Sequence, residues 1–260
     1  TKNVNNMKVI SWNVSIDNKK QIKTIKKALD TDADIICLNE ISKKNVEFLK
    51  TIDKYNFHYG ISFRGKNEHK NIYMGILSKY PFLNSKFFSF ETEFGTTMWN
   101  LFVNKHLGAH KVQEGQYVDI VINSKEIRIF NFHLPITCGP KKRIEQFKKI
   151  VNNINENMSN IFCGDFNNYG KWYLNIFTHP LFSQKINEVF TNEKKTFEKL
   201  FKQHELNNIF NGISTWPKLG FINIQIDHIL TPHWVNVISK EVLKKTYGSD
   251  HRMLMTELDI

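Results

Sequence analysis

Six short segments of the chain end in, or lead into, side chains that could hold a divalent cation or move a proton. Asn13 closes Val9-Ile10-Ser11-Trp12-Asn13, Glu40 closes Ile35-Ile36-Cys37-Leu38-Asn39-Glu40, and His133 closes Ile129-Phe130-Asn131-Phe132-His133. Asp165 and Asn167 follow Ile161-Phe162-Cys163-Gly164, Asp227 and His228 lie within an apolar run over 224–230, and Asp250 and His251 precede the last one. A hard cation such as Mg²⁺ takes carboxylate and amide oxygens and keeps several waters, so Glu40, Asn13 and one of the later aspartates would suffice. Hydrolysis of a phosphodiester also needs an activated water, stabilisation of charge at phosphorus and a protonated leaving oxygen. Asp165 with Asn167 could orient the water, His251 could be held by Asp227, and His133 could face the departing group.

Each of these residues also has an ordinary reading. Asn13 alone is a turn residue, Glu40 alone a solvated or helix-starting acid, and Gly164-Asp165-Phe166-Asn167-Asn168 has the composition of a plain turn. His133 and Asp250-His251 could be strand exits. The chemistry is carried by the set, because groups at the ends of neighbouring strands converge on one rim of a sheet, where ligand crevices form.

The elements that must position them are short. β-branched, apolar runs at 7–14, 34–40, 56–63, 72–77, 98–103, 117–122, 127–132, 160–164, 224–230 and 254–258 read as strands, and 18–29, 43–52, 140–154 and 195–204 as helices. Ile22, Ile25 and Leu29 recur at near-helical spacing, and Pro140 suits a first helical turn. Only Asn123, Ser124, Lys125 and Glu126 separate the runs at 117–122 and 127–132, which predicts a hairpin and therefore mixed or antiparallel sheets. The fold class is α/β, read as a single domain over 1–260 with residues 1–6 as a flexible N-terminal extension.

The chain has 260 residues and a formal net charge of +11, with 36 basic against 25 acidic residues. That surplus favours an anionic partner. Only four of the 36 cations are arginine, so 32 are lysine, a bias that background base composition also produces. No apolar run approaches the roughly 18 residues of a membrane helix, and 12 Gly and 6 Pro do not suit a fibrous chain. Cys37, Cys138 and Cys163 are too few and too irregular for a disulfide scaffold or zinc ribbon. The expectation is a monomer, cytoplasmic by default, from which an upstream signal or anchor could have been removed, since the chain opens on Thr1.

Seven segments in order resemble the endonuclease/exonuclease/phosphatase superfamily, the fold of DNase I, sphingomyelinases, inositol phosphatases and AP endonucleases. They are Ser11-Trp12-Asn13, Leu38-Asn39-Glu40, Gly75-Ile76-Leu77-Ser78-Lys79-Tyr80-Pro81, Asn131-Phe132-His133-Leu134, Gly164-Asp165-Phe166-Asn167, Ile226-Asp227-His228-Ile229-Leu230 and Ser249-Asp250-His251, and they span 7–258. The resemblance implies a four-layer α/β sandwich, two packed mixed sheets flanked by helices, with a divalent-metal site at one end. By carry-over Glu40 binds Mg²⁺, for which Mn²⁺ would substitute, Asn13 supports it and Asp250 lies near or on the metal. Asp165 and Asn167 position water and phosphate, Asp227 pairs with His251, and His133 contacts phosphate or acts as general acid.

The chain departs from the family pattern in Asn39, where Gln is usual, and in Arg252-Met253, where a proline commonly follows. AP endonucleases carry Tyr at the place of His133, and the extended signature of inositol phosphatases is missing around Asp227. Arg64, Lys66 and Arg252 are the expected phosphate contacts. The implied activity is metal-dependent phosphodiester hydrolysis, with nucleic acid, DNA first, as substrate. The alternatives are a phospholipid or sugar-phosphate phosphodiesterase or phosphatase of the same fold, and a non-catalytic nucleic-acid-binding module.

Overall fold

A computed structural model describes residues 6–65, 67–91, 112–136, 138–168, 188, 190–217 and 224–260. Alternation in the strands builds its layers. In β1 (Asn6–Asn13) Met7 and Val9 point one way and Ile10 and Trp12 the other, and in β2 (Ile35–Ser42) Ile35 and Cys37 oppose Ile36 and Leu38. The first set meets Ile127 and Ile129 of β7 (Lys125–His133) and Ile161 and Cys163 of β8 (Ser159–Asp165) in a core between two sheets. The second set is covered by α1 (Gln21–Leu29) and α2 (Lys43–Lys50). On the far side, Phe130, Phe132 and Phe162 pack under α3 (Pro140–Val151) and α4 (Glu193–Gln203). The result is the expected four layers, helix, sheet, sheet, helix.

Among the described residues each sheet has six strands. The first runs β11 (Asn236–Val242), β12 (Leu254–Asp259), β1, β2, β4 (Ile72–Ser78), β3 (Asn56–Phe63). The second runs β5 (Asn84–Glu91), β6 (Val112–Ile122), β7, β8, β10 (Asp227–Pro232), β9 (Leu206–Asn208). Both are mixed. The neighbours β1 and β2 are parallel, as are β7 and β8, and among the described residues every other pair is antiparallel, so each sheet is centred on one strand-helix-strand crossover. The predicted hairpin joins β6 to β7. Asn123 and Ser124 have φ of 51° and 64°, the left-handed pair that a two-residue turn matched to strand twist requires.

Several boundaries differ from expectation. The helix predicted from 18 starts at Gln21, because Asn18 builds a turn: its Oδ1 accepts from Lys20 N at 2.8 Å and its carbonyl from Gln21 N. The helix predicted to 154 ends at Val151, where Asn153 turns its amide back onto the Lys149 carbonyl. The strand expected from 224 starts at Asp227, since Ile224 instead bonds to Thr215 through backbone. Strands β5, β9 and β11 were not expected. β5 and β11 are edge strands with largely exposed side chains, and β9 has three residues, so none presents a strong apolar alternation. Asn6, expected within the N-terminal extension, opens β1 opposite Asp259. The strand predicted over 98–103 lies outside the described residues.

Candidate active site

The inward columns of the strands, apolar through the core, turn polar at one end of the sandwich. Met7-Val9 leads to Ser11-Asn13, Ile35-Cys37 to Asn39, Ile127-Ile129 to Asn131-His133 and Ile161-Cys163 to Asp165. β10 runs antiparallel to β8, so its first residue, Asp227, lies opposite Asp165, while His133 lies opposite Asp165 from the other neighbour. Just below this rim two buried amides tie the sheets together. Asn39 Nδ2 donates to Phe132 O (3.2 Å), and Asn131 Nδ2 donates to Leu38 O and Gly75 O (both 3.0 Å).

Simple alternation would aim Glu40 at the helices with Ile36 and Leu38. A bulge between Leu38 and Ile41, with Glu40 at φ 59°, carries it onto the rim instead. There its carboxylate accepts from Ile16 N (2.9 Å) and from Asn13 Nδ2 (2.9 Å). Asn13 Nδ2 also donates to Asp165 Oδ2 (3.0 Å), and its Oδ1 accepts from Ser15 N (2.9 Å). In this arrangement Asn13 clamps two carboxylates with its nitrogen, and it is its nitrogen rather than its oxygen that faces them.

Asn167, at φ 48°, folds back over Asp165, whose Oδ1 accepts the Asn167 N–H at 2.8 Å. Its Nδ2 donates to Leu134 O (2.8 Å) and lies 2.9 Å from His133 Nε2. Gly164 is required here, since a Cβ would sit 2.4 Å from Phe132 O on the neighbouring strand. His133 Nε2 also stands 3.6 Å from Asp165 Oδ2 and 3.8 Å from Glu40 Oε1.

His251 arrives on the loop before β12. Ser249 Oγ donates to Asn13 O (2.7 Å) and accepts from His251 N (3.0 Å), and Trp12 Nε1 donates to His251 O (3.0 Å). These bonds fix the ring, whose Nδ1 donates to Asp227 at 2.9 Å and whose Nε2 faces Asp165 Oδ2 and Asp250 Oδ1, each at 3.8 Å. Thr215 Oγ1 in turn accepts from Asp227 N (3.0 Å).

The electrostatics follow from crowding acids in a buried place. Burial pushes the Asp165 carboxyl up to about 6, and Asp227 adds to the push, while His251 and His133 pull it back. For His251 burial acts downward, but Asp227, Asp165 and Asp250 outweigh it and raise the ring to about 10. Two overlapping groups could hold a metal ion, Glu40 with His133 and Asp165, and Asp165 with Asp227 and His251, each offering ligand atoms within 4.8 Å of one another.

The structure therefore brings together Asn13, Glu40, His133, Asp165, Asn167, Asp227, Asp250 and His251. Of the three expected phosphate contacts, two are engaged with other partners. Arg64 lies at the same end but on the outer edge, paired with Glu114 at 3.0 Å. Arg252 directs Nη1 to Ser214 O (3.1 Å), and Lys66 lies outside the described residues. His228 faces away from the rim and packs against Phe166, burial pushing its pKa down to about 3. Sequence reasoning missed Ser249, Thr215 and the role of Trp216, whose Nε1 donates to Asp250 Oδ2 at 3.3 Å. Their signal was weak, because such residues act by touching another side chain that is distant in the chain.

Comparisons with known proteins agree with this architecture. A profile described as the Endonuclease/Exonuclease/phosphatase family matches residues 10–251. No curated protein matches the sequence. Among solved structures, an endonuclease/exonuclease/phosphatase from Beutenbergia cavernae superposes with a TM-score of 0.71 at 13% identity, covering 98% of this chain and 72% of that one. A family protein from Leptotrichia buccalis gives 0.69 at 16% identity, covering 98% and 100%. The human Nocturnin catalytic domain, solved with a bound sulfate anion, gives 0.62 at 14% identity, covering 97% and 94%.

Proposed function

The chain belongs to the endonuclease/exonuclease/phosphatase family, and from that premise we propose that it is a divalent-metal-dependent phosphodiesterase that cleaves nucleic acid, with DNA as the leading substrate. The observation that carries this reading is that imidazoles from both sheets face one buried carboxylate oxygen, Asp165 Oδ2, at 3.6 Å for His133 and 3.8 Å for His251. A phosphoryl group seated over Asp165 meets a ring nitrogen on each side of the sandwich.

Asp165 stands where it could accept a proton from a water, and Asn167 fixes its orientation through the backbone. Asp227 holds His251 in its charged form, ready to bond a phosphoryl oxygen as negative charge gathers there. His133, set by Asn167, faces the leaving oxygen. Glu40 and Asp165, with His133 beside them, offer the donors that fit a hard cation, Mg²⁺ with Mn²⁺ as substitute. When bound, such an ion withdraws charge from the phosphoryl oxygens.

The net charge of +11 directs the choice of ester towards a polyanion and predicts binding that weakens steeply as salt rises. Supercoiled plasmid incubated with Mg²⁺ should be nicked and then degraded, and chelator should stop it. Plasmid left intact under both Mg²⁺ and Mn²⁺ would remove the nuclease reading. Parallel reactions with RNA, sphingomyelin and inositol phosphates read the alternative esters.

A further inference from the structure

The rim continues past Glu40 along the first sheet. Leu38 and Ile41 of β2 pair with Gly75 and Tyr73 of β4, and Tyr73 pairs with Ile61 of β3, the edge strand. Two strand spacings of about 4.8 Å place the β3 edge roughly 10 Å from the Glu40 strand, at the same end of the sandwich. There a cleft of about 510 Å³ is lined by Lys43, Tyr59, Gly60, Arg64, Phe87 and Glu114, among others.

Phe87 is an aromatic ring held in place and only partly covered. His58 stacks against it with centroids 4.5 Å apart, and at Gly60 any Cβ would come within 2.3 Å of its Cε1, so the strand has been cleared for the ring to lie across it. Yet Phe87 is 41% exposed. Two cations flank the cleft, each in an exposed ion pair, Arg64 with Glu114 and Lys43 with Glu68. Such pairs contribute little and exchange readily for a better anion.

Resting on the phosphodiesterase reading above, we propose that this cleft receives an unpaired nucleobase of the bound strand, stacked on Phe87, with the neighbouring phosphates taken by Arg64 and Lys43. A partly exposed ring backed by His58 is what sequence-tolerant stacking uses, and the backbone between adjacent bases supplies the anions. Glu114, when Arg64 turns to phosphate, remains as an acceptor for an exocyclic amine. A base in a closed duplex has both faces occupied by its neighbours, so the cleft favours single-stranded or frayed substrate near the cut.

The test is anisotropy of a fluorescent twelve-nucleotide single strand, measured with chelator present, alongside hydrolysis of bis(p-nitrophenyl) phosphate with Mg²⁺. Phe87→Ala should weaken strand binding about tenfold, Phe87→Trp should keep it, and both should hydrolyse the small ester as the wild type does. Affinity for a blunt duplex should not change. Equal strand binding by wild type and Phe87→Ala, no strand binding at all, or an equal loss with Phe87→Trp would overturn the base site. Strand binding that depends on Phe87 with no cleavage of any nucleic acid would leave the base site standing and remove the nuclease reading. Cleavage with an unchanged KM in Phe87→Ala would do the reverse.

Discussion

Two clusters of buried charge in the protein are built on opposite rules. Under the second sheet, Arg143 of α3 is fully buried and donates through every nitrogen, Nε and Nη2 to the two oxygens of Glu193 at 2.7 and 3.1 Å, and Nη1 to the Cys138 carbonyl. Charge meets opposite charge, and the pair ties α3, α4 and the exit from β7 into one unit. At the rim, Glu40, Asp165, Asp227 and Asp250 gather around His133 and His251, so acid outnumbers base. Asn39 Oδ1 and Asn131 Oδ1, just below, are buried without a partner, whereas no atom of the Arg143–Glu193 pair is. A fold that pairs opposite charges in one place and leaves an acid excess in another marks the second as the place where something cationic binds.

The largest effect that could break this contrast is catalytic. His251→Ala removes the cation bonded to Asp227, and hydrolysis should fall by about 10³-fold while the fold persists. Steady-state rates with circular dichroism as control read this directly. Unchanged turnover would take His251 out of the reaction and make the rim a second structural cluster.

Next in size is the lock itself. Arg143→Met strands the Glu193 carboxylate in the core, and loss of one partner of a buried pair costs about 3–5 kcal/mol. The midpoint in urea should drop accordingly, while the Arg143→Met, Glu193→Leu double variant should recover most of the loss because no unpaired charge remains. Turnover per folded molecule should stay near wild type in the double variant. A double variant no better than the single would show that the pair does more than cancel charge.

Much of this contrast was legible in the chain, for a physical reason. Strand alternation is local, so the point where an inward column changes from Ile129 to Asn131 and His133, or from Cys163 to Asp165, is visible in order of residues. What the order of residues hides is contact across the sheets. The bulge that redirects Glu40, the Ser249 hydroxyl that seats His251 and the Trp216 bond to Asp250 depend on partners far away in the chain. Arg143 shows the same limit in reverse. In Lys141-Lys142-Arg143 it looks like part of a solvated basic face, yet helical phase turns it inward against Glu193. Charge alone likewise does not say that Arg64 is paired with Glu114.

The smallest effect is a change in stability at the rim. Asp165 titrates higher in the folded protein than its ordinary value of 3.8, so the fold disfavours its charged form at neutral pH. Asp165→Asn should therefore abolish activity yet raise stability by on the order of 1 kcal/mol at pH 8 with chelator present, about 2–4 °C. The pH profile follows from the same signs. His251 is raised from 6.5 to about 10, so the stability it contributes is complete below about pH 6.5 and is lost as pH rises towards 10. Melting with chelator should thus fall over that window. Since Asp165 is part of what raises His251, the fall should end at lower pH in Asp165→Asn. Saturating Mg²⁺ should raise the melting point of the wild type at pH 8 and do little for the variant, as expected of an ion that binds only the folded acid-rich site. If Asp165→Asn instead destabilises the chelated protein as Arg143→Met does, the rim is a compensated cluster like the lock, and the acid excess is not what prepares it for a cation.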